Sequence, residues 1–216
     1  PNNLTKIRTV SSGVTQTRVY YTYDPSNRLS QVSVDLSPSD NLTTDGKVYT
    51  TTYTYDGSSK RVASITQGDG TKVNFTYEQV GTTSTYRLKT LTDALGKTTT
   101  FNYISTTQTN VVDALSQTTT YLFDASERLT EVRTPAVSGA ALSTKYSYDS
   151  DGNLSTITDA RNNVTTLQYD ANGNLTLTRD AAGNTITRTY NANNQVLTET
   201  AFITPDPDGA GSNPPG

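Results

Sequence analysis

Residues 146–191 read YSYDSDGNLSTITDARNNVTTLQYDANGNLTLTRDAAGNTITRTYN, and this stretch decides the fold. Asp149, Asp159, Asp170, Asp180 and Asn191 recur at steps of 10, 11, 10 and 11 residues. Three residues after each stands Gly152, Asn162, Gly173, Gly183 or Asn194. An Asp or Asn that opens a turn accepts a hydrogen bond from the backbone two residues on, and Gly or Asn tolerates the left-handed backbone that closes it. That is the chemistry of a short hairpin loop, a type I turn closed by a left-handed residue. The segments between loops are dominated by Thr, Tyr, Leu, Ile and Val, which suit a pleated surface. The chain therefore reverses about every ten residues, as a string of antiparallel hairpins.

Working outward, the same pattern runs along the chain as aromatic-x-Tyr-Asp followed by Leu or Val. It appears as Tyr21-Thr22-Tyr23-Asp24 with Leu29, Tyr53-Thr54-Tyr55-Asp56 with Val62, and Phe75-Thr76-Tyr77-Glu78 with a delayed Leu88. A degenerate copy, Phe101-Asn102-Tyr103-Ile104, precedes Tyr121-Leu122-Phe123-Asp124 with Leu129. Then come Tyr146-Ser147-Tyr148-Asp149 with Leu154, Leu167-Gln168-Tyr169-Asp170 with Leu175, and Tyr190-Asn191 with Val196. The basic period is 21 residues, and the longer steps contain insertions, of which 35–47 and 135–142 read as surface loops. The expected organisation is an all-β array over 1–204, about eight repeats with the first and last incomplete, and a disordered Pro/Gly-rich tail over 205–216. Sixteen to eighteen short strands are expected, at about two per repeat.

The residues expected to anchor the repeats are Tyr23, Asp24, Tyr55, Asp56, Tyr77, Tyr148, Asp149, Gly152, Tyr169, Asp170, Gly173, Asp180, Gly183 and Tyr190. The aromatic pair at i and i+2 points to one face of a strand, so successive hairpins stack rings across the sheet. After each first turn comes Leu-x-x-Ile or a near relative, as at Leu29 and Val32, Val62 and Ile65, or Leu154 and Ile157. A spacing of three breaks period-two alternation and implies either a bulge or apolar contact on both faces. Both remain open at the level of sequence.

Composition narrows the chemistry. Of the 216 residues only 32% are hydrophobic, so a thick two-layer core is not expected. The absence of Cys and His removes disulfides, thiolate nucleophiles, imidazole bases and their zinc sites. A net charge of −3, with 17 scattered Lys and Arg, gives no nucleic-acid footprint, and no apolar run is long enough to span a membrane as a helix. Asp149-Ser150-Asp151-Gly152-Asn153 has the oxygen spacing of half a calcium loop, but no bidentate acid follows, and turn chemistry accounts for all its copies at once. No catalytic residue, cofactor or metal is expected. Exposed tyrosines leave a weak case for carbohydrate binding.

These residues resemble the YD-repeat, or Rhs-repeat, family, whose motif is close to Tyr-Asp-x-x-Gly-Asn/Arg-Leu followed by Thr-Asp-x-x-Gly-x-x-Thr-x-Tyr. Residues 148–190 follow it almost position for position, and weaker copies cover about 3–200. The resemblance implies a long hairpin strip that coils into a hollow shell. In bacterial Rhs proteins and the B/C components of insecticidal toxin complexes such a shell encloses a toxic domain, and in teneurins it serves adhesion. The expected function is thus a non-catalytic structural segment of a large secreted or surface bacterial protein, scaffolding a toxin or effector domain. The alternative is an adhesive or carbohydrate-binding repeat array. Expected partners are neighbouring repeats, copies of the chain itself and an enclosed toxin domain. Leu4 and Ile7 stand where Leu154 and Ile157 stand, so the chain reads as a piece cut mid-repeat. Its terminal stretches, 3–10 and 195–203, would then present unpaired strand edges and favour self-association.

Overall fold

Each Asp-x-x-Gly/Asn signature sits between two strands. In the computed structural model, which describes residues 3–39, 42–136, 139, 141–202 and 204–206, seventeen strands follow one another with no helix among the described residues. They begin with β1 (Lys6–Ser11), β2 (Val14–Tyr23), β3 (Leu29–Asp35), β4 (Val48–Tyr55), β5 (Val62–Gln67) and β6 (Lys72–Gln79). Next are β7 (Tyr86–Thr92), β8 (Thr98–Ser105), β9 (Gln108–Val112), β10 (Thr118–Phe123), β11 (Leu129–Arg133) and β12 (Ser143–Tyr148). The series closes with β13 (Leu154–Thr158), β14 (Val164–Tyr169), β15 (Leu175–Arg179), β16 (Thr185–Tyr190) and β17 (Val196–Ala201). The expected all-β hairpin array is the observed fold. Of the expected tail, everything from 207 onward lies outside the described residues.

Two compact units form: residues 1–101 with 112–116, and residues 102–111 with 117–216. The first is an antiparallel meander in which β1 pairs with β2, β2 with β3, and so on to β7 with the start of β8. The second is a meander of the same kind running from β10 to β17. Within each unit alternate loops therefore fall at opposite rims. The loops that follow the Tyr-Asp strands form one rim, and those that follow the Leu-x-x-Ile strands form the other.

The spacing of three resolves into a bulge. In seven hairpins the register slips just before the second aromatic, so that one residue of the returning strand is skipped. Tyr148 faces Leu154 and Ser147 faces Thr156, which leaves Ser155 bulged. The slip puts both apolar residues opposite the aromatic pair: Tyr146 faces Ile157, just as Tyr53 faces Ile65 and Tyr55 faces Val62. Phe75 faces Leu91 and Tyr77 faces Leu88 in the same way, which places the delayed Leu88 in register. One face of each meander thus carries rungs of aromatic on aliphatic, each contributing about 0.2–1 kcal/mol over an Ala pair.

The opposite face is lined with short hydroxyls. Thr54 pairs with Ser64 at 2.7 Å, Thr76 with Thr90 at 2.6 Å, Thr92 with Thr98 at 2.8 Å and Thr189 with Thr198 at 2.6 Å, all across strands. No hydrophobic residue among those described is fully buried. The apolar face is half-covered by its own neighbours, and the low hydrophobic content of the sequence goes into rungs instead of a core.

Candidate functional site

The rim of Tyr-Asp turns concentrates the anchors named from sequence, and its construction starts at the aspartate. Asp149 Oδ1 accepts the N–H of Asp151 at 3.0 Å and of Asn153 at 2.8 Å, while Oδ2 accepts Asn153 Nδ2 at 3.1 Å. Asp170 repeats this with Asn172 and Asn174, and Asp180 with Ala182 and Asn184 on the opposite rim. The turn closes with positive φ at Gly152 (89°), Asn162 (64°), Gly173 (79°), Gly183 (89°) and Asn194 (59°). The bond two residues on was legible in sequence. The second backbone donor and the amide on the other oxygen were not.

Arginine takes the amide's place in other repeats. Arg28 Nε donates to Asp24 Oδ2 at 2.7 Å, Arg128 Nε to Asp124 Oδ2 at 2.8 Å, and Arg61 grips Asp56 Oδ2 through Nε at 2.9 Å and a terminal nitrogen at 2.7 Å. The Asn-or-Arg choice in the repeat is thus one job with two reaches. The longer side chain continues to the next turn on the rim: Arg28 donates to the carbonyls of Gly57 at 2.8 Å and Ser59 at 2.6 Å. Its guanidinium also lies 4.4 Å from the Tyr55 ring, and that of Arg128 lies 4.7 Å from Tyr148. The shorter amide makes the equivalent step at Asn174, whose Nδ2 donates to Asn194 Oδ1 at 3.0 Å.

In five motifs the second tyrosine ties hairpin to hairpin. Tyr55 donates its phenol to the carbonyl of Leu29 at 2.7 Å, Tyr77 to Val62 at 2.8 Å, Tyr148 to Leu129 at 2.8 Å and Tyr190 to Leu175 at 2.8 Å. Tyr23 does the same to Leu4 at 2.8 Å. Each acceptor is the anchor Leu or Val of the preceding hairpin. Sequence reasoning took these rings as packing groups and missed the bond, whose only signal is Tyr over Phe at the second position. These five phenols and several ring faces are therefore committed within the fold.

Electrostatically the carboxylates are held as anions. Backbone N–H donation from Arg28 leads the lowering at Asp24, and that from Arg128 leads it at Asp124. The Asn163, Asn174 and Asn184 amides lead it at Asp159, Asp170 and Asp180. At Asp149 burial pushes upward, but the donors from Asn153 outweigh it and the net shift is down. A general acid needs the reverse. A groove of about 360 Å³ opens beside Ile157, Asp159, Asn163 and Asp180, yet both its carboxylates are already engaged in their own turns. At Asp149 both carboxylate oxygens likewise carry donors from the turn.

Residues 148–185 and 169–209 match the RHS Repeat family. No curated protein matches the chain. Among solved structures it is similar to the TcdB2-TccC3-Cdc42 crystal structure at 13% identity and TM-score 0.48, covering 95% of this chain and 15% of that one. The Photorhabdus luminescens Tc holotoxin pore with a TccC3 variant is similar at 12% identity and TM-score 0.48, over 94% of this chain and 14% of that chain. A porin-like protein from Bacteroides uniformis is similar at 14% identity and TM-score 0.34, over 80% of this chain and 92% of that chain. The chain spans about 15% of the length of the first of these.

Proposed function

We propose that this chain, whose residues 148–209 match the RHS Repeat family, is a structural repeat segment, a stretch of wall in a larger secreted or surface protein, and that the wall partitions an enclosed toxin or effector domain from solvent. The observation that carries the reading is a hairpin meander without a single buried hydrophobic residue among those described. Such a sheet is all surface. It holds itself together from strand to strand through rungs, phenol bonds and rim contacts, and it leaves two broad faces for other tasks. On this reading the chain is not an enzyme: its carboxylates are spent on turns, and its sequence lacks His and Cys. Its partners are adjoining repeats and the domain they surround.

Because the chain has no cysteine of its own, single cysteines test the reading cleanly. Thr165 and Thr166 are adjacent, half-buried and on opposite faces of β14. In the native protein that carries this chain, Thr165→Cys and Thr166→Cys are each treated with a small maleimide and with a protein-sized one. Both sites should accept the small reagent, and only one face should admit the bulky one. Equal labelling of both faces by the bulky reagent would sink the enclosure.

A further inference from the structure

Two leucines stand where the turn chemistry asks for none. Leu95, in Asp93-Ala94-Leu95-Gly96, is 80% exposed, and Leu115, in Asp113-Ala114-Leu115-Ser116, is 77% exposed. These are the highest values for a large hydrophobic side chain among the described residues. Each stands on a fixed crest. Asp93 Oδ1 accepts the Leu95 N–H at 2.9 Å, Asp113 Oδ1 accepts the Leu115 N–H at 2.9 Å, and Gly96 and Ser116 close the turns at positive φ. That geometry does not require leucine. The same third place holds Asp69, Arg161 and Ala182 in the turns opened by Gln67, Asp159 and Asp180.

The exposure is also concentrated. Both turns belong to the first unit, and Val10, Val14 and Leu36 are exposed on the same rim. The rim of Tyr-Asp turns in that unit contributes Leu4 and Tyr86, and the Tyr86 ring lies under the Arg61 guanidinium at 3.8 Å. Apolar side chains gathered on one rim mark a surface that another polypeptide covers.

A cavity of the matching shape lies in the second unit. The groove of about 360 Å³ is a slot between two successive turns, walled by Asp159 and Asn163 on one side and by Asp180, Ala181 and Ala182 on the other. A companion groove of about 440 Å³ opens between the same turns beside Val164, Thr166 and Arg179. The two share Asn163, Asp180 and Ala181, so this rim is notched from both faces. Ala182 holds the place that Leu95 and Leu115 fill in their own turns, which leaves room for such a side chain. Polar groups agree with the shape. Asp93 accepts turn N–H groups through Oδ1 alone, and Arg161 on the slotted rim spends no side-chain donor on any described residue.

We infer that Leu95 and Leu115 form a seam, inserting into slots of this kind between the hairpin turns of another stretch of repeats in the same polypeptide. Successive turns on one rim are two strands apart, about 9.5 Å, so two crests meet two slots in step, as they would on no other surface. The inference rests on the reading of the chain as a length of wall, since a wall that partitions must also close between its courses.

Photocrosslinking reads the contact. With Leu95→benzoylphenylalanine in the native protein that carries this chain, mass spectrometry should place the adduct on a hairpin turn elsewhere in the same polypeptide. An adduct in the enclosed domain, in lipid or in a second molecule would overturn the seam, as would an adduct confined to the crest's own turn. Leu95→Cys and Leu115→Cys should react with a small maleimide in the isolated 216-residue chain and lose that reactivity in the native protein; equal reactivity in both overturns the inference. Leu95→Asp combined with Leu115→Asp should leave the melting temperature of the isolated chain unchanged and lower that of the native protein. A drop in the isolated chain would return the leucines to its own fold. The enclosure is tested separately: bulky labelling of both faces of β14 with Leu95→Cys still protected removes the enclosure and leaves the seam, and the reverse result removes only the seam.

Discussion

At the scale of the residue, the turn aspartate does three jobs with two oxygens, and its neighbours are chosen to let it. The left-handed residue that closes each turn is a matter of backbone conformation more than of space. A Cβ built at Gly173 would approach nothing closer than Asn153 Oδ1 at 4.0 Å. Gly173→Ala should therefore cost about 1 kcal/mol, the penalty for a non-glycine left-handed residue, while Asn162→Gly, at φ 64°, should be close to neutral. Urea unfolding of the two variants side by side checks the pair. Equal effects would mean that contacts, not φ, govern the position.

The same aspartates set the response to acid. Asp24, Asp124, Asp149, Asp159, Asp170 and Asp180 all have folded values below the ordinary 3.8. A depressed carboxylate contributes its full stabilisation above the unfolded value, and that contribution is lost as pH falls toward the folded one. Glu131, bonded by Arg133 and by Ser143, is held at about 2 and belongs to the same window. Thermal melts should be flat from neutral pH to about 5 and drop steeply below about 4. Loss of stability already between pH 7 and 5 would contradict the assignment to these carboxylates.

At the scale of the element, the hairpin is the unit, and the bulge is what makes it work. Leu154-x-x-Ile157 showed from sequence that strict alternation fails, but the pattern fits two backbones equally well. The register chooses between them, because only a skipped residue sets Leu154 and Ile157 on one face against Tyr148 and Tyr146. The bulge frees carbonyls that the ladder no longer uses, and hydroxyls reach two of them: Thr130 Oγ1 donates to Leu122 O at 3.2 Å and Thr176 Oγ1 to Gln168 O at 3.1 Å. The phenol bonds were illegible for a related reason. Sequence reports which residues repeat, whereas the acceptor is a backbone group of an earlier hairpin. Likewise the first aromatic position of the last repeat is filled by Arg188, which faces Glu199 in an ion pair at 2.8 Å on the rung where other hairpins carry apolar pairs.

Because each phenol crosses from one hairpin to the one before, removing it should loosen the stacking of hairpins and not the hairpin itself. Tyr148→Phe deletes only the bond to Leu129 and should lower stability by about 0.5–1.5 kcal/mol, the usual net worth of such a bond. Phe123 stands at the equivalent position without a hydroxyl, so Phe123→Tyr is the matching reverse change. Hydrogen exchange should show faster exchange at the junction of β11 and β12 in Tyr148→Phe, with protection in the rest of the meander preserved. A uniform loss of protection would mean that the whole unit melts as one.

At the scale of the whole molecule, the fold class, strand number and turn chemistry were legible, because all three are written in period and residue type. The absence of a core was legible too, from the 32% hydrophobic content. What the molecule does with its outermost strands follows from the same physics. In a meander each strand is satisfied by a neighbour on either side, and stability accumulates through nearest neighbours. Among the described registers β1 pairs only with β2, and β17 only with β16. Both strands are exposed at every residue. Lys6 and Arg8 give β1 some protection against edge pairing, and Glu199 gives β17 less. The opposite charges also make the two strands better suited to each other than to themselves. As an isolated 216-residue polypeptide the chain should therefore associate end to end, with apparent mass rising across a hundredfold range of concentration in light scattering and falling with added salt. Lys6→Glu with Arg8→Glu should suppress the association while leaving the circular dichroism spectrum unchanged. A species that stays monomeric at every concentration would mean that the exposed edges are closed in solution by the strip itself.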